Sequence, residues 1–284
     1  MHDIIIILVA ILASLACGII GVFLVLRKMS MMTDAISHAV LPGVAMMFFL
    51  TGSKSPTYML LGASLMGILA TLLIEYTTSK IRVQSDASIG LNFTFLFALG
   101  IILVTVFSKK VDLDPECVIY GEIGYAPFDL IITKSGLNLG PKAFYVLGAV
   151  LLINIFFVRN FFKGLKITTF DASFAKTLGI NTSFYYYTLM ALTSITSVAT
   201  FDVAGAILSV SLMVVPAATA YLLSTNIKKI FILTIIISIV SPVLGYFLAL
   251  SINSSVSASV AFMNGILFFL GFLINFLRTK NKKY

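Results

Sequence analysis

Nine long apolar runs, each closed by glycine, proline or charge, leave this chain few ways to fold. They cover residues 4–26, 35–50, 58–78, 87–107, 143–158, 184–200, 203–223, 230–250 and 256–277. A helix needs about 20 apolar residues to cross the hydrocarbon core of a bilayer, because each residue advances about 1.5 Å. Nine such runs in 284 residues predict an all-α polytopic membrane protein. Runs 35–50 and 143–158 are the shortest; if either is re-entrant the count falls to eight. Composition agrees, at 60% hydrophobic and 11% charged, where a soluble domain has about 25% charged residues. No linker or repeat divides the chain, so 1–284 reads as one transmembrane domain.

Basic residues orient such a bundle, since they are enriched in cytoplasmic loops. With the N-terminus outside, the inner side receives Arg27, Lys28, Lys80, Arg82, Arg159, Lys163, Lys166, Lys176, Lys228, Lys229, Arg278, Lys280, Lys282 and Lys283. The outer side receives Lys54, Lys109, Lys110, Lys134 and Lys142, completing the chain's 19 Lys and Arg. The C-terminus is then cytoplasmic. The net charge of +8 follows from topology and calls for no nucleic-acid partner. The first run lacks a preceding basic region and continues past Ser14-Leu15-Ala16-Cys17 to Leu26, so it reads as a retained span and not a signal peptide. Cys17 and Cys117 fall in different contexts and form no disulfide framework.

Against this apolar background Asp34 and His38 stand out. Four residues apart, they share one side of a helix, one turn from each other. Ionisable groups are costly at membrane depth and mark functional sites. One carboxylate and one imidazole suit zinc, manganese or ferrous iron. The competing reading makes Asp34 a helix cap after Thr33 and His38 an interhelical hydrogen bonder.

Two connecting regions carry further signals. Residues 108–142 form the long outer loop, too apolar for disorder and thus containing a re-entrant or surface-lying element. Its acids Asp112, Asp114, Glu116 and Glu122 form either a solvated rim or an acidic mouth that docks a partner. In the inner loop 163–183, Asp171 can cap a short helix and Gly179 can end it. Phe170, Phe174 and Leu178 recur every fourth residue and give that helix an apolar face, to rest on lipid or enter a partner's groove. Pro42, Pro216 and Pro242 fall inside spans, where broken helices line enclosed pathways. No Gly-x-x-x-x-Gly-Lys-Ser/Thr loop occurs, and no Ser/His/Asp cluster lies in a span, so an embedded enzyme is disfavoured.

Three blocks resemble the permease subunit of bacterial ABC importers for zinc, manganese and iron. They are residues 21–29 with 34–43; residues 87–93 with 97–100; and residues 174–180 followed by 203–208 and 215–220. The first, Asp34-Ala35-Ile36-Ser37-His38-Ala39-Val40-Leu41-Pro42-Gly43, is the most distinctive. The resemblance implies a non-enzymatic transport subunit in the bacterial cytoplasmic (inner) membrane, with no permanently bound cofactor. It implies that Asp34 and His38 coordinate the ion in transit, and that the 163–183 loop couples to a cytoplasmic ATPase. It further implies that an extracytoplasmic metal-binding protein lands on the outer acidic surface. Two ligands per chain fall short of the roughly four a metal needs, so a two-fold partner, identical or paralogous, would complete the site. By charge count Asp34 lies near the cytoplasmic end of its span, so either residues 29–37 dip back into the bilayer or the site adjoins the inner gate. The rival from another class is a proton-coupled secondary transporter, with Asp34 and His38 as a proton relay; the capped inner helix argues against it.

Cysteine labelling tests the orientation. Single cysteines at Ser53 and Lys142 are expected to react from outside, and those at Lys176 and Lys280 only after permeabilisation. An outside-reactive Lys280 position overturns the charge argument.

Overall fold

The computed structural model describes residues 2–52, 56–81, 83–107, 121–132 and 138–281. Eight of its helices are long and apolar enough to cross a membrane. In chain order they are α1 (His2–Leu26), α2 (Met31–Thr51), α3 (Pro56–Ser79), α4 (Ser85–Phe107), α5 (Lys142–Phe170), α7 (Thr182–Leu223), α8 (Ile227–Ile252) and α9 (Val256–Asn281). The short α6 (Ala172–Thr177) lies between α5 and α7. The outer loop contributes a 3-10 helix at Ile123–Tyr125 and a small antiparallel hairpin, β1 (Leu130–Ile132) with β2 (Asn138–Pro141). Ile123 is fully buried and anchors this loop to the bundle.

The nine expected runs appear as eight continuous helices because runs 184–200 and 203–223 merge into the 42-residue α7. α7 is not straight. Gly205 has φ 81° and ψ 172°, a conformation essentially confined to glycine. The Ser209 hydroxyl donates to the Ser197 carbonyl at 3.3 Å, whereas twelve residues of unbroken helix would separate them by about 18 Å. The chain therefore folds back on itself at Gly205, and the two halves occupy the two predicted segments. The Gly121 backbone crosses this point so closely that a Cβ there would lie 2.5 Å from the Gly205 nitrogen.

α7 is the centre of the bundle. It packs against α1, α5, α8 and α9 on one side and against α2 and α3 on the other. α2, α3 and α4 pack on one another as a second group. Asparagines shape the ends: Asn181 caps α7, Asn226 caps α8, and Asn253 ends α8 in the left-handed region at φ 50°. Pro42, Pro216 and Pro242 all lie inside helices, where each removes a ladder bond without ending the helix. A proline removes one ladder bond without forcing the flanking residues out of the helical region when neighbours support them. Gly100 of α4 leaves room for the Pro42 ring, since a Cβ there would meet Pro42 Cδ at 2.8 Å.

The reversal in α7 depends on a backbone only glycine adopts readily. Gly205→Ala is expected to destabilise the purified protein by about 1–3 kcal/mol. A thermal melt in detergent should show a clear loss for Gly205→Ala against the wild-type protein.

Candidate functional site

α1 ends in a left-handed turn: Met29 N–H donates to the Leu24 carbonyl at 2.9 Å and Lys28 N–H to the Val25 carbonyl at 3.0 Å. Lys28 takes φ 59°, where glycine is usual. Ser30 holds the N-cap position of α2, so Asp34 is not the cap; it lies one turn inside the helix. Met32 and Ile36 are fully buried and turn one face of α2 inward. The Ser37 and Ser197 hydroxyls, bonded at 2.9 Å, fasten α2 to α7.

With that orientation, Asp34 Oδ1 and His38 Nε2 lie 3.5 Å apart, their side chains 47% and 26% exposed. The His38 ring packs on Phe93 at 4.8 Å and Phe97 at 5.3 Å between centroids, both from α4. Pro42 has no N–H to give the His38 carbonyl, its partner one turn back, so the proline falls at the metal-ligand candidate itself. His38 is seven residues into α2, which is about 10 Å of helix. The residues 29–37 do not dip as a loop: two residues outside any helix and then α2 itself set the depth, near the bundle end that carries Arg27 and Lys28. Among the described residues no group of three or more His, Cys, Asp or Glu side chains could hold a metal, so no third such side chain joins Asp34 and His38 within this chain's described part. Phe93 and Phe97, one helical turn apart, fall in the second block of resemblance without a role assigned there; the fold packs both on the His38 ring.

On the same end of the bundle lies α6. The Asp171 carboxylate accepts the Phe174 N–H at 2.8 Å, and Gly179 takes φ 74° just beyond the helix, so cap and stop are where the sequence placed them. The helix itself is shorter than 170–179, because Phe170 completes the last turn of α5. Ala175 is fully buried against the bundle, while Phe170, Phe174 and Leu178 are each more than half exposed. The cap holds this apolar face outward, and nothing among the described residues covers it.

On the opposite end, the Glu122 carboxylate is engaged internally. It accepts the Ser257 N–H at 3.1 Å, the Gly124 N–H at 3.3 Å and the Ser255 hydroxyl, tying the outer loop to the start of α9. Beside it a cavity of about 200 Å³ is lined by Asp129, Lys142 and Asp202, the last two 4.0 Å apart. Asp112, Asp114 and Glu116 lie outside the described residues.

Comparison with known proteins decides the family. The model of the ABC 3 transport family matches residues 3–275. The chain belongs to that family. It is 42% identical over 270 residues to the manganese transport system membrane protein MntD of Bacillus subtilis, covering 95% of this chain and 91% of that protein. It is 38% identical over 270 residues to the zinc transport system membrane protein TroD of Treponema pallidum, covering 95% and 73%. The solved structure of PsaBC from Streptococcus pneumoniae in complex with Fab superposes with a TM-score of 0.75 at 33% identity, covering 94% of this chain and 90% of that one. The chain is therefore a multi-pass membrane permease subunit of an ABC importer, and ATP hydrolysis resides on a separate chain.

Proposed function

We propose that this permease carries manganese or zinc, with Asp34 and His38 as ligands to the ion in transit. The observation that carries the reading is their pairing at 3.5 Å on a face left partly open by a single chain. Ionisable side chains among membrane helices avoid lipid and face a water-filled pathway or another subunit. A second permease, identical or paralogous, related by a two-fold axis near His38 would bring two carboxylates and two imidazoles together and complete a four-ligand site. The relatives named for manganese and zinc transport support this ion class, and mixed oxygen and nitrogen ligands suit both ions, as they do ferrous iron.

In this reading the N-terminus is outside and the C-terminus cytoplasmic. The loop 163–183 presents Phe170, Phe174 and Leu178 to a groove on the ATPase, with Asp171 and Gly179 fixing the helix between them. Asp112, Asp114 and Glu116 receive an extracytoplasmic metal-binding protein, while Glu122 shapes the loop that displays them. ATP binding and hydrolysis on the partner switch the side to which the metal pair opens.

Uptake by the reconstituted complex, compared for manganese, zinc and iron, tests the site. Asp34→Asn and His38→Ala are expected to abolish transport while leaving expression and ATPase assembly intact. Normal transport by Asp34→Asn would exclude a charged ligand there. For the inner helix, Phe174→Asp places a charge in an apolar groove and should cost several kcal/mol, on the order of a buried unpaired ion. Asp171→Ala should cost about 1 kcal/mol as a lost cap. Co-purification is expected to lose the ATPase with Phe174→Asp and to weaken only modestly with Asp171→Ala; an ATPase retained at full level by Phe174→Asp would assign α6 to the lipid surface.

A further inference from the structure

We propose that Arg27 is a positioning residue that transmits movement of α6 to the Asp34 and His38 pair. The proposal rests on the reading of α6 as the ATPase-contacting helix.

Arg27 is the first residue after α1. Its Nε donates to Thr169 Oγ1 at 3.1 Å and its Nη2 to Thr168 Oγ1 at 2.9 Å. Both threonines belong to the last turn of α5, where unpaired carbonyls favour a cation. Thr168 already donates its own proton to the Gly164 carbonyl at 2.9 Å, so its oxygen faces Arg27 as an acceptor. One side chain thus ties the end of α1 to the end of α5.

The chain segments on either side of this clamp make it a linkage. Thr169 is succeeded by Phe170 and Asp171, the cap of α6. Arg27 is succeeded by Lys28, Met29 and Ser30, and then by α2 with Asp34 in its first turn. The three connecting residues are not slack. Lys28 is held at φ 59°, and its N–H and that of Met29 are both bonded back into α1. A displacement of α6 pulls on the end of α5, the forked guanidinium carries it to residue 27, and the short turn passes it to the base of α2. A flexible loop or a single lysine contact would dissipate it, because the planar fork fixes direction as well as distance. The simpler role for Arg27, a cation that caps α5 and sits at the inner membrane surface, predicts an effect on folding but none on the metal moved per ATP hydrolysed.

The experiment uses the complete reconstituted transporter with manganese or zinc. It measures metal uptake, ATP hydrolysis and retained ATPase for Arg27→Ala, Arg27→Lys and the near-isosteric double variant Thr168→Val with Thr169→Val. The expected result is an ATPase still bound and hydrolysing, with metal moved per ATP lowered about tenfold, an ordinary size for coupling between sites. Arg27→Lys is expected to restore only part of the ratio, since a point charge cannot hold both hydroxyls. Wild-type metal per ATP in the Val double variant overturns the linkage, and so does loss of folded permease in Arg27→Ala and the double variant alike, which would make the clamp purely structural. Phe174→Asp in parallel separates the two readings: an ATPase retained there removes the role of α6, whereas a wild-type ratio in the Val variant removes only that of Arg27.

Discussion

Inside a bilayer no water is available to a backbone amide or carbonyl, so each must be bonded within its own segment. Helices are the result, and many polar side chains they carry are paired as well, although the hydroxyls of Ser14, Thr33, Ser238 and Ser241 and the Oδ1 atoms of Asn154 and Asn264 are buried without a partner among the described residues. Many hydroxyls bond one turn back along their own helix, as Thr71 does to the Gly67 carbonyl, Thr193 to Leu189, Thr200 to Thr196 and Thr234 to Ile230. Others replace the hydrophobic effect, which has no pull between helices already in hydrocarbon. Cys17 meets Thr200 at 3.2 Å, Asn154 donates to the Ala16 carbonyl and Thr196, and Asn264 donates to Ser211. Most of these bonds converge on α7, which is why that helix forms the centre of the bundle.

The same constraint separates structural polar groups from candidate functional ones. Glu122 is acidic and lies in the loop before β1, yet its two oxygens hold a 3-10 turn and the start of α9. Asn92, Asn181 and Asn253 likewise serve helix geometry: Asn92 donates to Thr77 and to the Ser88 carbonyl, and the other two terminate helices. Asp34 and His38 differ. Their mutual contact faces away from the buried side of α2 that Met32 and Ile36 define. Phe174 differs in the same sense at the surface, because its cap orders the helix while its ring remains exposed. Asp34 and His38, partly exposed and paired only with each other, and the exposed Phe174 ring are the side chains that the proposed function assigns to an ion and to a partner.

Periodicity and helix-end chemistry made much of this legible in the sequence. Apolar run length determined the spans, since membrane thickness sets the length of a helix regardless of its neighbours. Four-residue spacing placed Asp34 beside His38, and Asp171 and Gly179 marked the ends of α6, because caps are local interactions. What distance along the chain concealed was decided by tertiary packing. The gap between runs 184–200 and 203–223 was legible, but that the chain turns back at Gly205 with Gly121 packed on it was decided by the tertiary fold. Each proline removes one ladder bond, yet the helical path runs on past it, with Gly100 leaving room for the Pro42 ring. Phe93 and Phe97 acquired a role by meeting His38 from another helix. Arg27 counted in the sequence only as a basic residue on one side of the membrane. Its bonds to Thr168 and Thr169 span more than 140 positions, and contacts of that separation depend on how helices pack, which local propensity does not encode.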